Sequence, residues 1–219
     1  MKTFVITNSK ESDRFSAGDV CDKLNLDCKN LPAIFLENNG KGMCYESSGR
    51  KTNLDADSRI KNAKKRREVG CGLAHRNAWL EVVASNEPHL ILEDDAALPL
   101  DMNELSVVKD SFERFSNTVL ENDYDLGHVG YCSFFGVAGE CLHAYIVTPD
   151  GAKKLIQYSS PCAPRIDSQI RDLCYGEDNK LNCKLAQPNF ANSKNTLFAG
   201  IIKQGNHHSS LIQSRLKNI

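Results

Sequence analysis

Three consecutive acidic residues, Glu93, Asp94 and Asp95, follow the apolar segment HLIL at residues 89–92. Like charges about 4 Å apart repel by roughly 1 kcal/mol in water and by about 4 kcal/mol at an effective dielectric constant near 20. Such a triplet therefore needs solvent or a cation beside it. Glu93 and Asp95 are two residues apart, so an extended chain would point both carboxylates to one side, as a hard divalent cation such as Mn²⁺ or Mg²⁺ requires. A solvated acidic cluster at the end of a strand is the alternative.

An amphipathic helix and a buried strand are predicted just before the triplet. The helix carries one apolar stripe and ends at a break formed by residues 86–88. The stripe consists of Cys71, Ala74, Ala78, Trp79, Val82 and Val83. The continuous apolar run HLIL is typical of a central strand buried on both faces, and ligands of open α/β sheets collect beyond the carboxyl ends of such strands. The triplet is therefore predicted at the binding edge of a sheet.

Other segments predict an α/β fold that is at least partly parallel. Strands are predicted at TFVI, AIFLE, DLGHVGY and CLHAYIVT, which are residues 3–6, 33–37, 125–131 and 141–148. Helices are predicted after a Ser12 cap, from an Asp101–Glu104 capping box to about residue 118, and from the Thr148-Pro149-Asp150 start. Residues 38–58 predict a long loop. We expect one domain over residues 1–219, with 176–219 as a C-terminal arm folded back to complete the site.

The net charge of the whole molecule is too close to zero for its electrostatic field to drive binding to nucleic acid or membranes. Twenty-seven Lys and Arg residues against 28 Asp and Glu residues give a net charge of −1. The basic segment KNAKKRRE, residues 61–68, contains no aromatic residues for base stacking. We interpret it as a solvated helix face in a position that permits contact with donor phosphates.

The targeting and cysteine patterns predict a cytoplasmic protein. The apolar run at the N-terminus is too short for a signal peptide, and no stretch approaches the roughly 18 apolar residues of a membrane span. The nine cysteines are odd in number and include no Cys-x-x-Cys pair. Reduced thiols are therefore favoured over a disulfide framework.

Four segments, in order and at suitable intervals, carry a resemblance to a known family. They are VITNSKESDRF, EVGCGLAHRNAW, LILEDDA and HAYIVTPDGAKKLI, at residues 5–15, 68–79, 90–96 and 143–156. Together they resemble glycosyltransferase family 25, which contains lipooligosaccharide and collagen galactosyltransferases. Ala74 departs from the family pattern, which has Ser before the histidine. The resemblance implies a GT-A-like, Rossmann-like α/β fold with a mixed, mostly parallel sheet flanked by helices.

The resemblance also implies a role for each acid of the triplet. A nucleotide-sugar donor would lie across the carboxyl end of the sheet, with a metal ion bridging its diphosphate. Asp95 would bind the metal directly, Glu93 would reach the ribose or the metal through water, and Asp94 would hold the loop or contact the sugar. A metal ion is also expected on chemical grounds that do not depend on the resemblance. A diphosphate leaving group gains negative charge as the glycosidic bond breaks, and a bound cation stabilises that charge.

Residues after the first strand and on the apolar helix are further candidates for donor binding. By the resemblance, Ser9, Asp13 and Arg14 would bind the nucleotide, and an arginine there suits phosphate or carbonyl oxygens. Ordinary chemistry at the start of a helix is the alternative for all three. His75 would belong to the donor site by the same resemblance. On its position in the apolar stripe alone, a hydrogen-bonded core histidine is the alternative.

Asp167 is our candidate for the general base. An inverting transferase needs a carboxylate to take the proton of the acceptor hydroxyl, and the resemblance places an aspartate near the acceptor after a proline-containing turn. Asp167 follows Pro164 and is also a candidate helix N-cap. Asp150 and Asp125 are weaker rivals for the catalytic role.

His207 and His208, near the end of the chain, are candidate third metal ligands. A histidine near the carboxyl terminus often has this role in GT-A-like enzymes. The pair does not have the spacing of a zinc motif, and solvent-exposed histidines in a polar tail are the alternative.

These features predict a metal-dependent inverting glycosyltransferase. It would transfer galactose or glucose from a UDP-sugar to a glycan acceptor, with Mn²⁺ or Mg²⁺ as cofactor. The rival hypothesis, motivated by Ala74, is a non-catalytic module of the same fold that binds nucleotide sugars or glycans. A metal-dependent phosphoesterase ranks last because the sequence lacks the additional His and Asp clusters of a two-metal site.

Overall fold

A computed structural model describes residues 1–7, 16–34, 43–45, 51–53, 63–98, 105–134, 137–160, 162, 165–186 and 198–204. In chain order its elements are β1 (Lys2–Thr7), α1 (Ser16–Leu24), β2 (Asp27–Pro32), β3 (Met43–Tyr45), β4 (Lys51–Asn53), α2 (Ala63–Ser85), β5 (His89–Glu93), β6 (Ala96–Ala97), α3 (Leu105–Glu121), β7 (Leu126–Phe134), β8 (Val137–Val147), α4 (Pro149–Tyr158), α5 (Ile166–Tyr175), β9 (Cys183–Leu185), β10 (Phe198–Gly200) and β11 (Lys203–Gln204).

A mixed seven-stranded sheet forms the centre of the molecule. Its strand order is β10-β7-β8-β5-β1-β2, and β9 pairs with the same edge of β7 that β10 uses further along. The strands β2, β1 and β5 are parallel to one another, and β9 is parallel to β7. Antiparallel pairs join β5 to β8, β8 to β7 and β7 to β10. The predicted α/β fold, a mixed sheet flanked by helices, is confirmed.

The strand before the acidic triplet is buried on both faces. Leu90, Ile91 and Leu92 of β5 are completely inaccessible to solvent. Ile91 packs into the core cluster that includes Trp79, whereas Leu90 and Leu92 pack into the opposite cluster. The alternation of side chains along a strand divides them in this way, so helices must cover both faces. The predicted central strand is confirmed.

The helix α2 carries the apolar stripe that the sequence predicts. Ala74, Ala78, Trp79 and Val82 are buried in one cluster, and Cys71 and Val83 pack against it. The helix starts at Ala63, so most of the basic segment forms its first turns. The interpretation of that segment as a solvated face is wrong for Arg66, which is 6% exposed.

The second strand and the long loop differ from expectation. The strand β2 covers Asp27–Pro32 rather than residues 33–37, of which 33 and 34 follow the strand and 35–37 lie outside the described residues. Its side chains are mostly exposed and only Leu31 is buried, so this edge strand has no apolar run to announce it. Within the predicted loop, β3 and β4 pair antiparallel.

The two helices after β8 begin in different ways. Thr148 caps α4, where its hydroxyl accepts a hydrogen bond from Gly151 N at 3.1 Å, as its sequence predicts. The N-cap of α5 is Arg165, in the left-handed region with φ of 64°. The prediction of Asp167 as an N-cap is therefore wrong. Asp167 lies in the first helical turn, where a carboxylate interacts favourably with the helix dipole.

The cysteines are largely oxidised, contrary to the sequence prediction. Disulfides join Cys21 to Cys28 and Cys174 to Cys183. Cys141 and Cys162 are also disulfide-bonded. Among the cysteines whose side chains the structure describes, only Cys71 is a free thiol. The prediction of reduced thiols is wrong because the Cys-x-x-Cys test misses pairs that a turn or a helix end brings together.

Residues 198–204 return to the sheet beside the acidic triplet. The strand β10 pairs with β7, and β11 pairs with β6, which begins directly after Asp95. The single-domain assignment and the C-terminal arm over residues 176–219 stay predictions. The start signals at Ser12 and at Asp101–Glu104 lie outside the described residues. None of the described helices is long and apolar enough to span a membrane.

Candidate active site

The acidic triplet lies at the carboxyl end of β5, as predicted. Glu93 is the last residue of the strand, and Asp94 and Asp95 form the turn that leads into β6. All three side chains are half-buried, and the Glu93 side chain is 25% exposed. The backbone carbonyl of Asp94 accepts a hydrogen bond from Ala17 N at 3.5 Å, which connects the turn to the start of α1. The triplet therefore meets solvent at the edge of a buried sheet.

A line of buried hydrogen bonds runs from α2 to Glu93. Trp79 Nε1 donates to Tyr145 Oη at 2.9 Å, and the same hydroxyl lies 2.9 Å from His75 Nδ1. His75 Nε2 lies 3.1 Å from Glu93 Oε1. Trp79, Tyr145 and His75 are all completely buried, so each polar atom depends on these partners. His75 is therefore a hydrogen-bonded core histidine, and one of its partners is an acid of the triplet; its role in the donor site stays a prediction.

The line of bonds fixes the positions of its protons. The indole of Trp79 can only donate, so Tyr145 must accept from it. Beside an ionised Glu93, a neutral His75 ring must carry its proton on Nε2 and donate it to the carboxylate. Nδ1 is then an acceptor for the Tyr145 hydroxyl. The result is a one-way chain of donors from Trp79 through Tyr145 and His75 to Glu93.

The charge of Glu93 depends on a balance between burial and its partners. Burial raises the pKa of the Glu93 carboxyl, but three effects together lower it by more: the hydrogen bond from His75, the positive charges of His75 and His143 when these rings are protonated, and the hydrogen bond from the Cys71 thiol. The net pKa lies below the ordinary value for glutamate. Glu93 is therefore a carboxylate at neutral pH.

Cys71 lies one helical turn before His75 and contacts the same carboxylate. Its Sγ donates to Glu93 Oε1 at 3.8 Å. Burial, followed by the charges of Glu93 and Asp167, raises the pKa of the Cys71 thiol well above its ordinary value, and Asp95 contributes in the same direction. The thiol is thus protonated at neutral pH, and three carboxylates lie close enough for their charges to act on it.

The structure brings four predicted site residues to one place. Glu93 and Asp95 come from the end of β5, His75 comes from α2, and Asp167 comes from the first turn of α5. The charges of Glu93, Asp95 and Asp167 all act on the Cys71 thiol, so the three acids lie in its neighbourhood. Such a set can hold a cation and can also accept a proton from a bound hydroxyl.

The two rival bases are engaged elsewhere. Asp125 is buried and accepts from Lys154 Nζ at 2.7 and 2.9 Å, and it also accepts from Asn182 N at 2.8 Å. It directly precedes β7. Asp150 is exposed and pairs with Lys153 at 2.8 Å. Both residues stabilise local structure, which leaves Asp167 as the candidate base.

His143, on β8, was not predicted as a site residue. Its Nε2 lies 3.1 Å from the carbonyl oxygen of Ile202, just before β11. Burial lowers the pKa of His143, while the Ile202 carbonyl and the Glu93 charge oppose that effect. Gly130 allows this approach, because a Cβ there would collide with both the His143 ring and the Ile202 carbonyl. The ring thereby connects the returning C-terminal segment to the acidic site.

The sequence contained a signal for two residues near the site that were not predicted, His143 and Tyr145. These two polar residues are two apart within the apolar run CLHAYIV, a spacing that can place both on one side of a strand.

Five predicted residues lie outside the described part of the chain: Ser9, Asp13, Arg14, His207 and His208. Their roles stay predictions.

Comparison with known proteins identifies the family. The model of glycosyltransferase family 25, described as an LPS biosynthesis protein, matches residues 1–129, which is more than half of the chain. The chain belongs to glycosyltransferase family 25. It is therefore a glycosyltransferase, which takes a sugar from a donor and passes it to an acceptor. No curated protein matches the chain significantly.

The matched region contains only part of the site. It includes Cys71, His75 and the triplet, but it ends within β7. Tyr145 and Asp167 come from later elements, so the family match does not cover them. Their place in this glycosyltransferase follows from the hydrogen bonds and charges described above.

Proposed function

We propose that this family 25 glycosyltransferase transfers a hexose, galactose or glucose, from a UDP-sugar to a hydroxyl of a glycan acceptor, with inversion and with a divalent cation. One observation supports this most: the charges of Glu93, Asp95 and Asp167 all act on Cys71, whose thiol contacts Glu93 at the carboxyl end of the central strand. That edge is the usual ligand side of an α/β sheet.

Glu93 and Asp95 are suitable ligands for Mn²⁺ or Mg²⁺. Both offer carboxylate oxygens, which these hard cations prefer, and both are half-buried beside solvent. When bound, the cation would neutralise the negative charge that develops on the leaving diphosphate. His75 holds the Glu93 carboxylate in place through its 3.1 Å hydrogen bond. The side-chain chemistry of the site thus fits the cofactor.

Asp167 is the proposed general base. Glu93 already accepts hydrogen bonds from His75 and Cys71, so its Oε1 is committed to positioning. Asp167 comes from a different element, α5, and its charge acts on the neighbouring Cys71. In the proposed mechanism its carboxylate takes the proton of the acceptor hydroxyl as that oxygen attacks the anomeric carbon. Direct displacement then inverts the anomeric configuration.

Two matched substitutions test these roles. Asp95→Asn should remove the Mn²⁺-dependent part of UDP binding, measured as a thermal shift, together with hexose transfer. Asp167→Asn should retain UDP binding and lose transfer. The control is Asp172→Asn on the same helix, because the Asp172 side chain is exposed and its carboxylate pairs with Arg171. The configuration of the product, measured by NMR, tests inversion.

The outcomes separate the parts of the proposal. Full transfer by Asp95→Asn would contradict the metal assignment, and full transfer by Asp167→Asn would contradict the base assignment. A shift with GDP or CMP in place of UDP would change the donor. Binding of nucleotide sugars without any turnover would favour the non-catalytic module.

The departure that motivated the non-catalytic alternative lies in the core. Ala74 is 2% exposed and packs in the apolar cluster of α2 with Trp79. A serine there would place its hydroxyl in the core rather than among the acids. The Ala74 substitution therefore gives little support to loss of activity.

The oxidised cysteines bear on the compartment. Disulfides persist mainly in oxidising compartments and are rare in the cytosol. The disulfides Cys21–Cys28 and Cys174–Cys183 thus favour such a compartment over the cytoplasmic location predicted from the sequence.

A further inference from the structure

Three different metal-binding side chains meet at the buried side of the acidic site. One potential ligand atom from each of Cys71, His75 and Glu93 lies within 4.8 Å of the other two. Glu93 Oε1 is 3.8 Å from the sulfur and 3.1 Å from the imidazole nitrogen. Cys71 and His75 are four residues apart on α2, so they project from the same face of the helix, toward the end of β5.

These separations suit a tetrahedral ion. Zinc binds sulfur at about 2.3 Å and nitrogen or oxygen at about 2.0–2.2 Å, so tetrahedral ligand atoms lie roughly 3.3–3.6 Å apart. The two separations at Glu93 lie on either side of that range. The remaining separation, between the Cys71 and His75 ligand atoms, is no more than 4.8 Å, so binding of one ion requires only short shifts of the ligand atoms.

The surroundings of His75 also suit a metal ligand. A histidine that binds a metal almost always uses its other ring nitrogen in a hydrogen bond that fixes the ring. His75 Nδ1 has this partner in Tyr145 Oη at 2.9 Å, and Trp79 in turn holds the tyrosine hydroxyl. With a metal on Nε2, Nδ1 would carry the proton and donate it to Tyr145. The ring is therefore held in place before any ion arrives.

The group is open on one side. His75 is buried, whereas Cys71 and Glu93 are each partly exposed. Three protein ligands with a fourth position facing solvent or substrate are the arrangement of catalytic rather than structural zinc sites. The nearby charges of Asp95 and Asp167 would attract a cation to this position.

We propose that Cys71, His75 and Glu93 form a binding site for a single borderline or soft divalent cation, Zn²⁺ in particular. The thiolate and imidazole ligands select Zn²⁺ over Mn²⁺ and Mg²⁺, which prefer oxygen. Binding displaces the Cys71 proton to solvent and replaces the hydrogen bonds that Glu93 Oε1 makes with His75 and Cys71. The site is distinct in chemistry from the proposed Mn²⁺ site but shares Glu93 with it.

The shared ligand has a consequence for transfer, which rests on the proposed function. A Zn²⁺ ion on Glu93 withdraws that carboxylate from the Mn²⁺ site, so Zn²⁺ inhibits hexose transfer in competition with Mn²⁺. Zinc binding itself does not depend on catalysis. Failure of the binding measurement and failure of the transfer assay are therefore separate results.

The test is metal binding to the intact chain after removal of metal by dialysis against a chelator. Zn²⁺ affinity is measured by competition with a chromogenic chelator, and Co²⁺ is added as a spectroscopic probe. We expect one equivalent of metal and a thiolate-to-cobalt absorption band in the near ultraviolet. Cys71→Ser should lose the band and weaken Zn²⁺ binding by more than about 100-fold, since even a residue outside the ligand set changes affinity by 10–100-fold. Glu93→Gln should weaken binding without removing the band.

Two controls keep the result specific. Glu87→Gln alters an exposed glutamate paired with Lys2 and should leave Zn²⁺ affinity unchanged. A variant with both His207 and His208 replaced by alanine removes the adjacent histidines near the chain end and should also retain the site. The proposal is overturned if Cys71→Ser binds Zn²⁺ as tightly as the original chain, if no thiolate–cobalt band forms, or if binding disappears with the tail histidines.

Discussion

His75 and His128 are both completely buried, yet their surroundings are opposite. Both ring nitrogens of His75 have hydrogen-bond partners, Tyr145 and Glu93. Neither ring nitrogen of His128 has a partner within the part of the chain that the structure describes. Its ring instead lies 6.5 and 6.1 Å from the rings of Tyr131 and Tyr175. One histidine is held by bonds, and the other is held by packing.

The difference separates two uses of a buried imidazole. Burial, with a smaller contribution from the His143 charge, lowers the pKa of His128 to about 3, so this ring stays neutral in the native protein. His75 connects the core to a half-exposed carboxylate and fixes its position. Burial by itself therefore does not identify a functional histidine. What distinguishes His75 is its hydrogen bond to Glu93, a carboxylate that is partly exposed to solvent.

Replacing each of the two histidines by phenylalanine compares their contributions to stability directly, and the larger loss is expected at His75. His75→Phe keeps a ring of similar size but leaves Tyr145 and Glu93 without their shared partner. We expect a loss of about 3 kcal/mol in the free energy of unfolding, because buried polar and charged groups lose their bonds. Urea unfolding measures the loss. Sugar transfer should fall as well, and a variant as stable as the original chain would contradict the role of the bonded line.

Acid should weaken the fold through the packed histidine. The pKa of His128 is about 3 in the native state, against about 6.5 when unfolded, so between these values the unfolded chain binds more protons. Stability therefore falls as the pH falls, by about 2 kcal/mol from about pH 7 to about pH 5 through His128 alone. His143, whose pKa is also lowered by burial, acts in the same direction.

Unfolding midpoints in urea between pH 7 and pH 5 check this dependence. Glu93 does not interfere, because its native pKa is lowered from 4.5, and its contribution is lost only as the pH falls further. His128→Phe should remove part of the slope while His75→Phe should not remove that part. A midpoint that is constant over this range would show that His128 is not held neutral.

Tyr145→Phe tests the middle of the bonded line and should have a smaller effect. The substitution removes the hydroxyl that accepts from Trp79 and contacts His75, but keeps the ring. We expect a loss of about 1–2 kcal/mol in stability, because the buried Trp79 N–H is left without an acceptor. A double variant that combines Tyr145→Phe with His75→Phe should lose less stability than the sum of the losses in the two single variants. Additive losses would show that the bonds do not act as a unit.

His128→Phe at neutral pH should have the smallest effect. The described residues offer no hydrogen bond for its ring nitrogens, so an apolar ring of similar shape loses no bond. We expect the free energy of unfolding to change by less than about 1 kcal/mol, in either direction. Urea unfolding at neutral pH measures it. A loss comparable with that of His75→Phe would mean that His128 has polar partners after all.

Much of the fold could be predicted because its signals are local. The stripe of α2, the apolar run of β5 and the Thr148 cap each follow from residues close in sequence. The strand β2 could not be found in this way, because only Leu31 is buried and the rest of this edge strand faces solvent. Its position is set by pairing with β1, where Leu31 lies beside Ile6.

In the site too, residues with local sequence signals could be predicted, and residues that meet only through long-range packing could not. The acids at the end of β5 were predicted from the strand that precedes them, and Asp167 and His75 were added by family resemblance. The partners Trp79 and Tyr145 were missed because they meet only when α2 packs on β8, 66 residues apart in sequence. The cysteines were misread because Cys21 and Cys28 meet through a turn in which Asn25 has a φ of 53°.

The disulfide between Cys174 and Cys183 joins the end of α5 to β9 at the edge of the sheet. The same helix begins with the turn that holds Asp167. A thiol reductant added to protect Cys71 would therefore cut the covalent tether of the helix that carries the proposed base. Preparations of this glycosyltransferase should come from an oxidising host and be handled without thiol reductants.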